Sequence, residues 1–212
     1  MNIGVLGSGE VAKTLAGGFL KHNHKVMMGT RDTAKLAEWQ RENTKGLVGS
    51  TSEAAAFGEM IVLAVKGSAA ATVLRAAGGN LDGKVVIDAC NPIADAPPVN
   101  GILKFFTTLD ESLMEQLQRE FPKALFVKAF NSVGAGKMVN PSYKGGRPTM
   151  FICGNNDGAK LMVAQILEQF GWETADMGKV ESARAIEPLC MLWCVLGFTK
   201  NEWTHAFKLL RA

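Results

Sequence analysis

Hydrophobic residues along this chain are grouped into short runs that are apolar at most positions. Six such runs lie at residues 2–6, 25–28, 60–65, 84–89, 124–129 and 149–153. Apolar runs of this length without strict alternation are typical of strands that helices cover on both faces. The pattern therefore predicts a buried, mostly parallel sheet.

Between the runs, apolar residues recur at steps of three and four positions, as on one face of a helix. The clearest stripes lie at residues 11–20, 33–41, 69–77, 112–121 and 159–170. Ser52, Asp110 and Asn156 stand where N-caps are expected, and Gly171 follows the last stripe as a C-terminal cap would. Strands that alternate with helices predict an α/β fold with a Rossmann-type, doubly wound and mostly parallel sheet.

The segment at residues 180–200 has the longest helical pattern in the chain. Pro188 within it predicts a kink or a fresh helix start. Its apolar face comprises Ile186, Leu189, Cys190, Trp193, Leu196 and Gly197. We therefore expect a Rossmann domain at residues 1–178 and a helical extension at residues 179–212 that packs on it.

The sequence GSGEVA at residues 7–12 is a G-x-G-x-x-A motif between a predicted strand and a predicted helix. In such a loop Gly7 permits the tight turn, Gly9 lets the backbone approach a pyrophosphate, and Ala12 allows close packing of helix on sheet. Free amides at the helix start then face the phosphates. The motif predicts dinucleotide binding. Glu10 is unusual in it, because a carboxylate repels a pyrophosphate unless it points to solvent.

The end of the second predicted strand indicates which dinucleotide is bound. NAD-selective sheets carry Asp or Glu there, to accept hydrogen bonds from the ribose. This chain has Thr30 followed by Arg31, and a hydroxyl and a guanidinium suit a 2′-phosphate. Lys35 adds a third contact, while Asp32 is expected to cap the next helix. The sequence therefore favours NADP over NAD.

Ligands of doubly wound sheets bind beyond the carboxyl ends of the strands, where this chain places Lys66, Asn91 and Asn131. Lys66 is interpreted either as a contact to the cofactor or an acidic acceptor, or as a solvated lysine. The two asparagines either bind the nicotinamide or a substrate carbonyl, or serve as turn residues. We expect Cys90 to be a packed thiol. No acid–base pair stands out, which suits hydride transfer between redox molecules, since that reaction depends mainly on orientation.

Composition narrows the functional classes further. The net charge is +3 and the basic residues are scattered, which argues against a nucleic-acid partner. The four cysteines have neither C-x-x-C nor zinc-ligand spacing, so we expect free thiols and no metal site. With no leader pattern and no membrane-length apolar stretch, we expect a cytoplasmic protein without a membrane partner.

Taken together, these residues resemble the family of NADPH-dependent deazaflavin (coenzyme F-420) oxidoreductases. They also resemble the cytosolic NADPH domain of the six-transmembrane epithelial antigen of the prostate metalloreductases. The resemblance extends in order over nearly the whole chain through the stretches GVLGSGEVAKTLA, MMGTRD, VKAFNSVGA, MFICGNNDGAK and GWETADMGKVESARAIEPLCMLW. The last two lie outside any general dinucleotide motif, which makes the resemblance more specific.

The resemblance implies a particular set of cofactor contacts. The cofactor-binding residues expected from the motif and the resemblance together are Gly7, Ser8, Gly9, Glu10, Val11, Thr30, Arg31, Lys35, Ala64, Val65, Lys66, Asn91, Pro92, Ala129 and Asn131. Among these, the loops after Ala64 and Asn91, together with Ala129 and Asn131, are expected near the nicotinamide. The terminal helices are implied to form part of the acceptor site and a homodimer contact, although simple core packing also explains their apolar stripe.

The sequence indicates the hydride acceptor less clearly than it indicates the cofactor. Deazaflavin enzymes often carry a proline at the position of Lys66 and a histidine-containing segment in place of KAFNSVG. We therefore expect an NADP-dependent enzyme that transfers a hydride between NADP(H) and a flavin, a deazaflavin or a similar small redox acceptor. The alternatives are an imine, ketone or hydroxy-acid reductase, whose relatives usually carry a larger helical domain, and a non-catalytic NADPH-sensing module.

Overall fold

The central sheet of the computed structural model, which describes residues 1–211, contains six parallel strands. In chain order they are β1 (Asn2–Leu6), β2 (Lys25–Gly29), β3 (Leu47–Gly49), β4 (Met60–Leu63), β5 (Val85–Asp88) and β6 (Leu125–Lys128). Their spatial order is β3-β2-β1-β4-β5-β6, so the direction of sheet growth reverses between β1 and β4. This order is that of the Rossmann fold and confirms the predicted α/β class.

Helices cover both faces of this sheet. They are α1 (Glu10–Lys21), α2 (Ala37–Glu42), α3 (Thr51–Phe57), α4 (Ala70–Ala77), α5 (Leu113–Glu120), α6 (Asp157–Gln169) and α7 (Ala183–Lys200). A second parallel pair, β7 (Thr149–Ile152) and β8 (Glu173–Asp176), adjoins β6 through an antiparallel bridge between Lys128 and Cys153. All six predicted apolar runs are therefore strands.

Alternate residues of the strands supply two apolar cores, one on each face of the sheet. Ile3 and Val5 of β1 pack in one core with Phe19 of α1. Leu6 of β1 packs in the other core with Leu74 of α4. Because both faces are buried, the strands carry apolar residues at most positions, and this requirement explains the apolar runs in the sequence.

Two of the predicted N-cap residues differ from those in the structure. Ser50 caps α3 and Ser112 caps α5, each in a capping box with the glutamate three residues later. Ser52 and Asp110 were the wrong choices because neither is followed by a glutamate or glutamine at that spacing. Asn156 caps α6 as predicted. Gly171 after α6 has a φ of +86°, which agrees with the predicted helix end.

Two strands and one helix differ from the sequence pattern. β3 and β8 were missed because LVG is very short and ETAD is largely polar. The helix α7 continues through Pro188 without a fresh start. Because proline has no N–H, the helix lacks the hydrogen bond that residue 188 would otherwise donate to the carbonyl of Arg184. No helix within residues 1–211 combines the length and apolar character that a membrane span requires.

The C-terminal segment packs on the rest of the chain through α7 and the residues after it. Leu103 forms a small apolar cluster with Cys190 and Trp193 of α7. The chain then folds back, and the carbonyl of His205 accepts a hydrogen bond from Trp193 Nε1 at 2.9 Å. Further along, the Phe207 carbonyl accepts from the backbone N–H of Thr149 at 2.9 Å. The segment therefore covers the start of β7.

Close packing of β1 against α3 generates the first prediction. A Cβ on Gly4 would collide with the backbone carbonyl of Ala54, which cannot move without displacing α3. We expect Gly4→Ala to lower the free energy of unfolding by about 2 kcal/mol through overpacking. Urea unfolding measures the change, with Gly79→Ala as the control because no atom lies within 4 Å of a Cβ there. Equal stability of the two variants would contradict the packing argument.

The second prediction concerns the carboxylate of Glu115, which lies between α5 and α7. Burial raises the pKa of Glu115, but hydrogen bonds from the Arg184 guanidinium and from Ser112 lower it more, from 4.5 to about 2. Since the folded-state pKa lies below the unfolded value, this stabilisation is complete above pH 4.5 and is lost as the pH falls toward 2.

We therefore expect the wild-type free energy of unfolding to fall more steeply across this range than that of Glu115→Gln. Denaturant titrations at a series of pH values measure both slopes. The control is Glu38→Gln, because Glu38 is exposed and makes no ion pair within residues 1–211. Identical slopes for wild type and Glu115→Gln would exclude the contribution of Glu115.

Candidate functional site

The loop after β1 lies against the end of β4, at the point where the strand order reverses. Gly7 has a φ of +141°, and its N–H donates to the carbonyl of Gly29 at 2.9 Å. A Cβ on Gly7 would collide with the carbonyl of Ala64. Both the backbone conformation and the close approach require glycine here. The tight turn expected from the motif is therefore present.

The first turn of α1 differs from those of α3, α5 and α6 because no side chain caps it. Gly9 is its N-cap residue and makes no side-chain hydrogen bond. The amides of Glu10 and Val11 precede the first intrahelical donor, which is Lys13. A Cβ on Gly9 would find no protein atom within 4 Å. Glu10 is exposed and Ser8 is half-buried. The open amides and the empty space above Gly9 suit a phosphate group.

The carboxyl end of β2 presents two cations without an acidic partner. Asp32 accepts a hydrogen bond from the N–H of Ala34 at 3.1 Å and caps a 3₁₀ turn, as the sequence predicts. Its own N–H donates to Thr30 Oγ1 at 3.3 Å. Arg31 and Lys35 are exposed, and within residues 1–211 neither forms an ion pair. This arrangement suits an anion of high charge, such as a phosphate monoester.

At the ends of β5 and β6 the two predicted asparagines are hydrogen-bonded to each other. Asn91 Nδ2 donates to the Asn131 carbonyl at 2.8 Å, and Asn131 Nδ2 donates to Asn91 Oδ1 at 3.2 Å. Asn131 Nδ2 also donates to the carbonyl of Ile186 in α7 at 2.9 Å. Asn131 is 3% exposed, yet its Oδ1 has no hydrogen-bond partner within residues 1–211. An unsatisfied buried acceptor at this sheet edge indicates a site for a donor group.

The remaining predicted residues line the same edge. Ala64 and Ala129 are buried at the strand ends, Pro92 is buried, and Val65 is half-buried. Lys66 is exposed, and within residues 1–211 its side chain has no hydrogen-bond partner. Its neighbour Gly67 packs on the backbone carbonyl of Asn91. The loops after β1, β4, β5 and β6 therefore form one continuous line of contacts, although Lys66 remains a surface residue of this line.

Sequence reasoning missed an ion triad buried beside the asparagine pair. Lys128 Nζ lies 2.7 Å from Asp88 Oδ2 and 2.9 Å from Glu187 Oε1, and the three side chains are at most 2% exposed. Burial lowers the pKa of Lys128, but the charges of Asp88 and Glu187 raise it more, so the net shift is upward and the ammonium stays charged. A signal for two of the three residues was available, because Asp88 and Lys128 end adjacent apolar strands in register.

The two carboxylates of the triad also bind backbone amides. Asp88 Oδ1 accepts from the N–H of Cys90 at 2.9 Å. Glu187 accepts from the N–H groups of Leu113 and Met114, both at 3.0 Å, at the start of α5. Asp88 Oδ1 and both oxygens of Glu187 are thereby hydrogen-bonded in a buried setting, and Asp88 Oδ2 faces the Lys128 ammonium. The carboxylates consequently join β5, β6, α5 and α7.

Cys90 lies between these groups and is not an activated nucleophile. It is 1% exposed, and its thiol points to the carbonyl of Leu63 at 3.6 Å. Burial and the nearby Asp88 carboxylate raise its pKa well above the ordinary value. The prediction of a packed thiol is confirmed, since a thiol of raised pKa carries little thiolate at neutral pH.

Comparison with known proteins identifies relatives along the whole chain. The sequence profile of the family described as NADP oxidoreductase, coenzyme F420-dependent, matches residues 2–92. The crystal structure of an Arthrobacter sp. FB24 protein described as an F420-dependent NADP reductase superposes with a TM-score of 0.93. The identity is 34%, and the match covers 99% of both chains.

Two curated proteins match at lower identity. The F420-dependent NADP reductase of Methanocaldococcus jannaschii is 26% identical over 207 residues, which cover 91% of this chain and 90% of that protein. The metalloreductase STEAP3 of Rattus norvegicus is 29% identical over 193 residues, covering 88% of this chain. The match spans only 36% of the metalloreductase. Both resemblances seen in the sequence are confirmed.

The assignment of the chain to a family rests on full-length similarity as well as on the glycine loop. A Rossmann sheet with a turn suited to phosphate is shared by many unrelated enzymes, so fold alone would not settle the family. Identity of 34% along the entire length of a relative, with nearly identical topology, is more specific. The chain therefore belongs to the coenzyme F420-dependent NADP oxidoreductase family and is an NADP-dependent oxidoreductase.

Proposed function

We propose that the protein binds NADPH along the carboxyl edge of its sheet and passes a hydride to a flat redox acceptor, either a deazaflavin or a flavin. The observation that carries this proposal is the Asn91–Asn131 pair, on the same edge as the start of α1, which no side chain caps. Asn131 is buried, and its Oδ1 has no hydrogen-bond partner within residues 1–211. One end of this edge suits phosphate and the other suits an amide. NADPH carries both groups.

The phosphate end holds the adenosine half of the cofactor in this proposal. Backbone amides of the loop and of the first turn of α1 bind the pyrophosphate, and Thr30, Arg31 and Lys35 bind the 2′-phosphate. The fit rests on the missing side-chain cap of α1 and on the two exposed cations without acidic partners. The pyrophosphate-binding residues are Gly7, Ser8, Gly9, Glu10 and Val11.

The amide end holds the nicotinamide half. Asn131 Oδ1 accepts a hydrogen bond from the carboxamide of the ring, because that oxygen is buried and lacks any other donor within residues 1–211. When bound, NADPH supplies a hydride, that is, one hydrogen nucleus with two electrons, and leaves as NADP⁺. The residues proposed to surround the ring are Ala64, Val65, Lys66, Asn91, Pro92, Ala129 and Asn131.

The charges beside the pair favour a flavin-type acceptor over an imine or a ketone. Reduction of an imine or ketone needs a proton at the heteroatom, which a positioned acid usually supplies. Here Asp88, Lys128 and Glu187 are buried and bound to one another, so none is free to donate. A flavin or deazaflavin instead spreads the arriving negative charge over its ring system.

Exposed apolar residues near α7 support the expected homodimer. Leu192 and Phe198 of α7 are 57% and 46% exposed, and Ile102 nearby on the loop after β5 is 48% exposed. Gly101 of that loop contacts Thr199 of α7, so the two segments form one surface. We propose that this surface contacts a second copy of the chain and borders the acceptor.

The cofactor assignment generates the third prediction. Arg31→Ala is expected to weaken NADPH binding by about 2 kcal/mol, the contribution of a hydrogen bond to a charged group, with little effect on NADH. Isothermal titration calorimetry with both nucleotides measures the difference. Arg75→Ala serves as the control, because Arg75 pairs with Glu120 on α4 and α5 away from the loop after β2. Equal losses for NADPH and NADH would contradict a role at the 2′-phosphate.

The acceptor assignment generates the fourth prediction. Stopped-flow mixing of protein and NADPH with a panel of deazaflavin, flavin, imine and ketone acceptors is expected to show rapid loss of nicotinamide absorbance only with the flavin-type compounds. Rapid oxidation by imines or ketones instead would support a carbonyl or imine reductase. Tight NADPH binding without oxidation by any acceptor would support a sensing module and reject the proposal.

A further inference from the structure

The ion triad of Asp88, Lys128 and Glu187 has no direct role in the proposed binding of NADPH, yet its hydrogen bonds end beside the Asn91–Asn131 pair. Lys128 Nζ donates to the carbonyl of Cys90 at 3.0 Å, and Asp88 Oδ1 accepts from the N–H of Cys90 at 2.9 Å. Both backbone polar groups of the residue before Asn91 are therefore held by the triad.

The other arm of the triad reaches the support of Asn131. Glu187, bound to Lys128 at 2.9 Å, fixes α7 at the start of α5 through the amides of Leu113 and Met114. The residue before Glu187 is Ile186, whose carbonyl accepts from Asn131 Nδ2 at 2.9 Å. The triad thereby holds the backbone on which each asparagine depends.

The backbone between Lys128 and Asn131 is strained and needs such support. Phe130 has a φ of +63°, in the left-handed region that bulky residues rarely adopt. Such a conformation persists only where the surrounding structure holds it in place. Lys128 is anchored two residues before Phe130, and Asn131 directly follows it. Loss of the anchor removes one of the constraints on the turn that presents Asn131.

We propose that Lys128 is a positioning residue, whose ammonium holds the carboxamides of Asn91 and Asn131 in the orientation that seats the nicotinamide for hydride transfer. This inference rests on the proposed function, because that function assigns the asparagine pair to the nicotinamide. An ammonium suits the role, since its nitrogen lies within 3.0 Å of oxygens on Asp88, Glu187 and Cys90 and carries three N–H groups.

A single Lys128→Met substitution would leave two buried carboxylates without a counterion and would unfold the protein. The test therefore uses the triple variant Asp88→Asn, Lys128→Met and Glu187→Gln, which keeps the side-chain volumes and removes all three charges. The amide oxygen of Asp88→Asn still accepts from the N–H of Cys90, and that of Glu187→Gln keeps one of the two bonds from the start of α5. The donor to the Cys90 carbonyl is lost.

A matched control is available at Lys160, which lies 3.1 Å from Asp157 and 2.8 Å from Asp176 at the start of α6. Its triple variant Asp157→Asn, Lys160→Met and Asp176→Asn makes the same three types of change at a lysine whose two carboxylate partners are exposed. None of these three residues contacts the asparagine pair or the glycine loop. The control variant is expected to match wild type in every measurement below.

The first measurement uses the protein without nucleotide. Side-chain NH₂ signals of Asn91 and Asn131 in nitrogen-15-labelled protein report the exchange of their hydrogen-bonded protons. We expect exchange in the Lys128 triple variant to be faster by about tenfold, because the hydrogen-bonded geometry opens more often. Wild-type exchange in a folded triple variant would overturn the positioning role.

The second measurement separates the two halves of the cofactor. The affinity for 2′,5′-ADP, which lacks the nicotinamide, is expected to stay unchanged in the Lys128 triple variant. The single-turnover rate of NADPH oxidation is expected to fall roughly tenfold to a hundredfold, since misplacement by an ångström costs about that much. Unchanged rates, or a matching loss of 2′,5′-ADP affinity, would overturn the inference.

Failure of the proposed function gives a different result. Wild-type protein would then oxidise no NADPH with any flavin-type acceptor, whereas the amide exchange of Asn91 and Asn131 would still respond to the triple variant if Lys128 positions them. The exchange measurement therefore tests whether Lys128 positions the asparagine pair. The oxidation measurement tests whether the protein transfers a hydride from NADPH.

Discussion

The interaction on which the carboxyl edge of this protein depends is the buried contact of the Lys128 ammonium with the carboxylates of Asp88 and Glu187. Removing three charges from water is costly, and the cost is offset only when every donor and acceptor is satisfied. The carbonyl and N–H of Cys90 and the amides at the start of α5 supply most of these partners. Consequently the contact ties together four elements, β5, β6, α5 and α7. It also holds in place the loops that follow β5 and β6.

The two ends of the candidate site are built by different physical means. At the glycine loop, the backbone itself provides the binding groups, and Gly7 and Gly9 create the space for them. Few long-range contacts are needed there beyond the approach to Ala64. At the asparagine end, side chains provide the groups, and their orientation depends on residues as far apart in sequence as Asp88 and Glu187. Substitutions remote in sequence therefore affect the second end more than the first.

This difference explains which parts of the fold and of the candidate site could be predicted from the sequence. Apolar runs predicted β1, β2, β4, β5, β6 and β7, because a strand buried on both faces must be apolar throughout. GSGEVA and the Thr30–Arg31 pair were recognisable because each is a local signal with a fixed place in the fold. The complete ion triad was not, since Glu187 joins Asp88 and Lys128 only when α7 packs against the sheet. The Asn131 oxygen that has no partner within residues 1–211 carries no local signal either. The short strand β3 and the polar strand β8 carried too weak a pattern to be seen.

The triad also helps to explain why the asparagine end of the candidate site has no evident general acid or base. Proton transfer requires a group whose charge state changes near neutral pH. The opposing carboxylates raise the pKa of Lys128, which keeps the ammonium charged, and burial raises that of Cys90, which keeps the thiol neutral. The Lys128 ammonium and the Cys90 thiol beside the asparagine pair are thus held in fixed charge states. A fixed electrostatic environment suits the transfer of a hydride between two cofactors, because that reaction is governed by the distance and orientation of the rings.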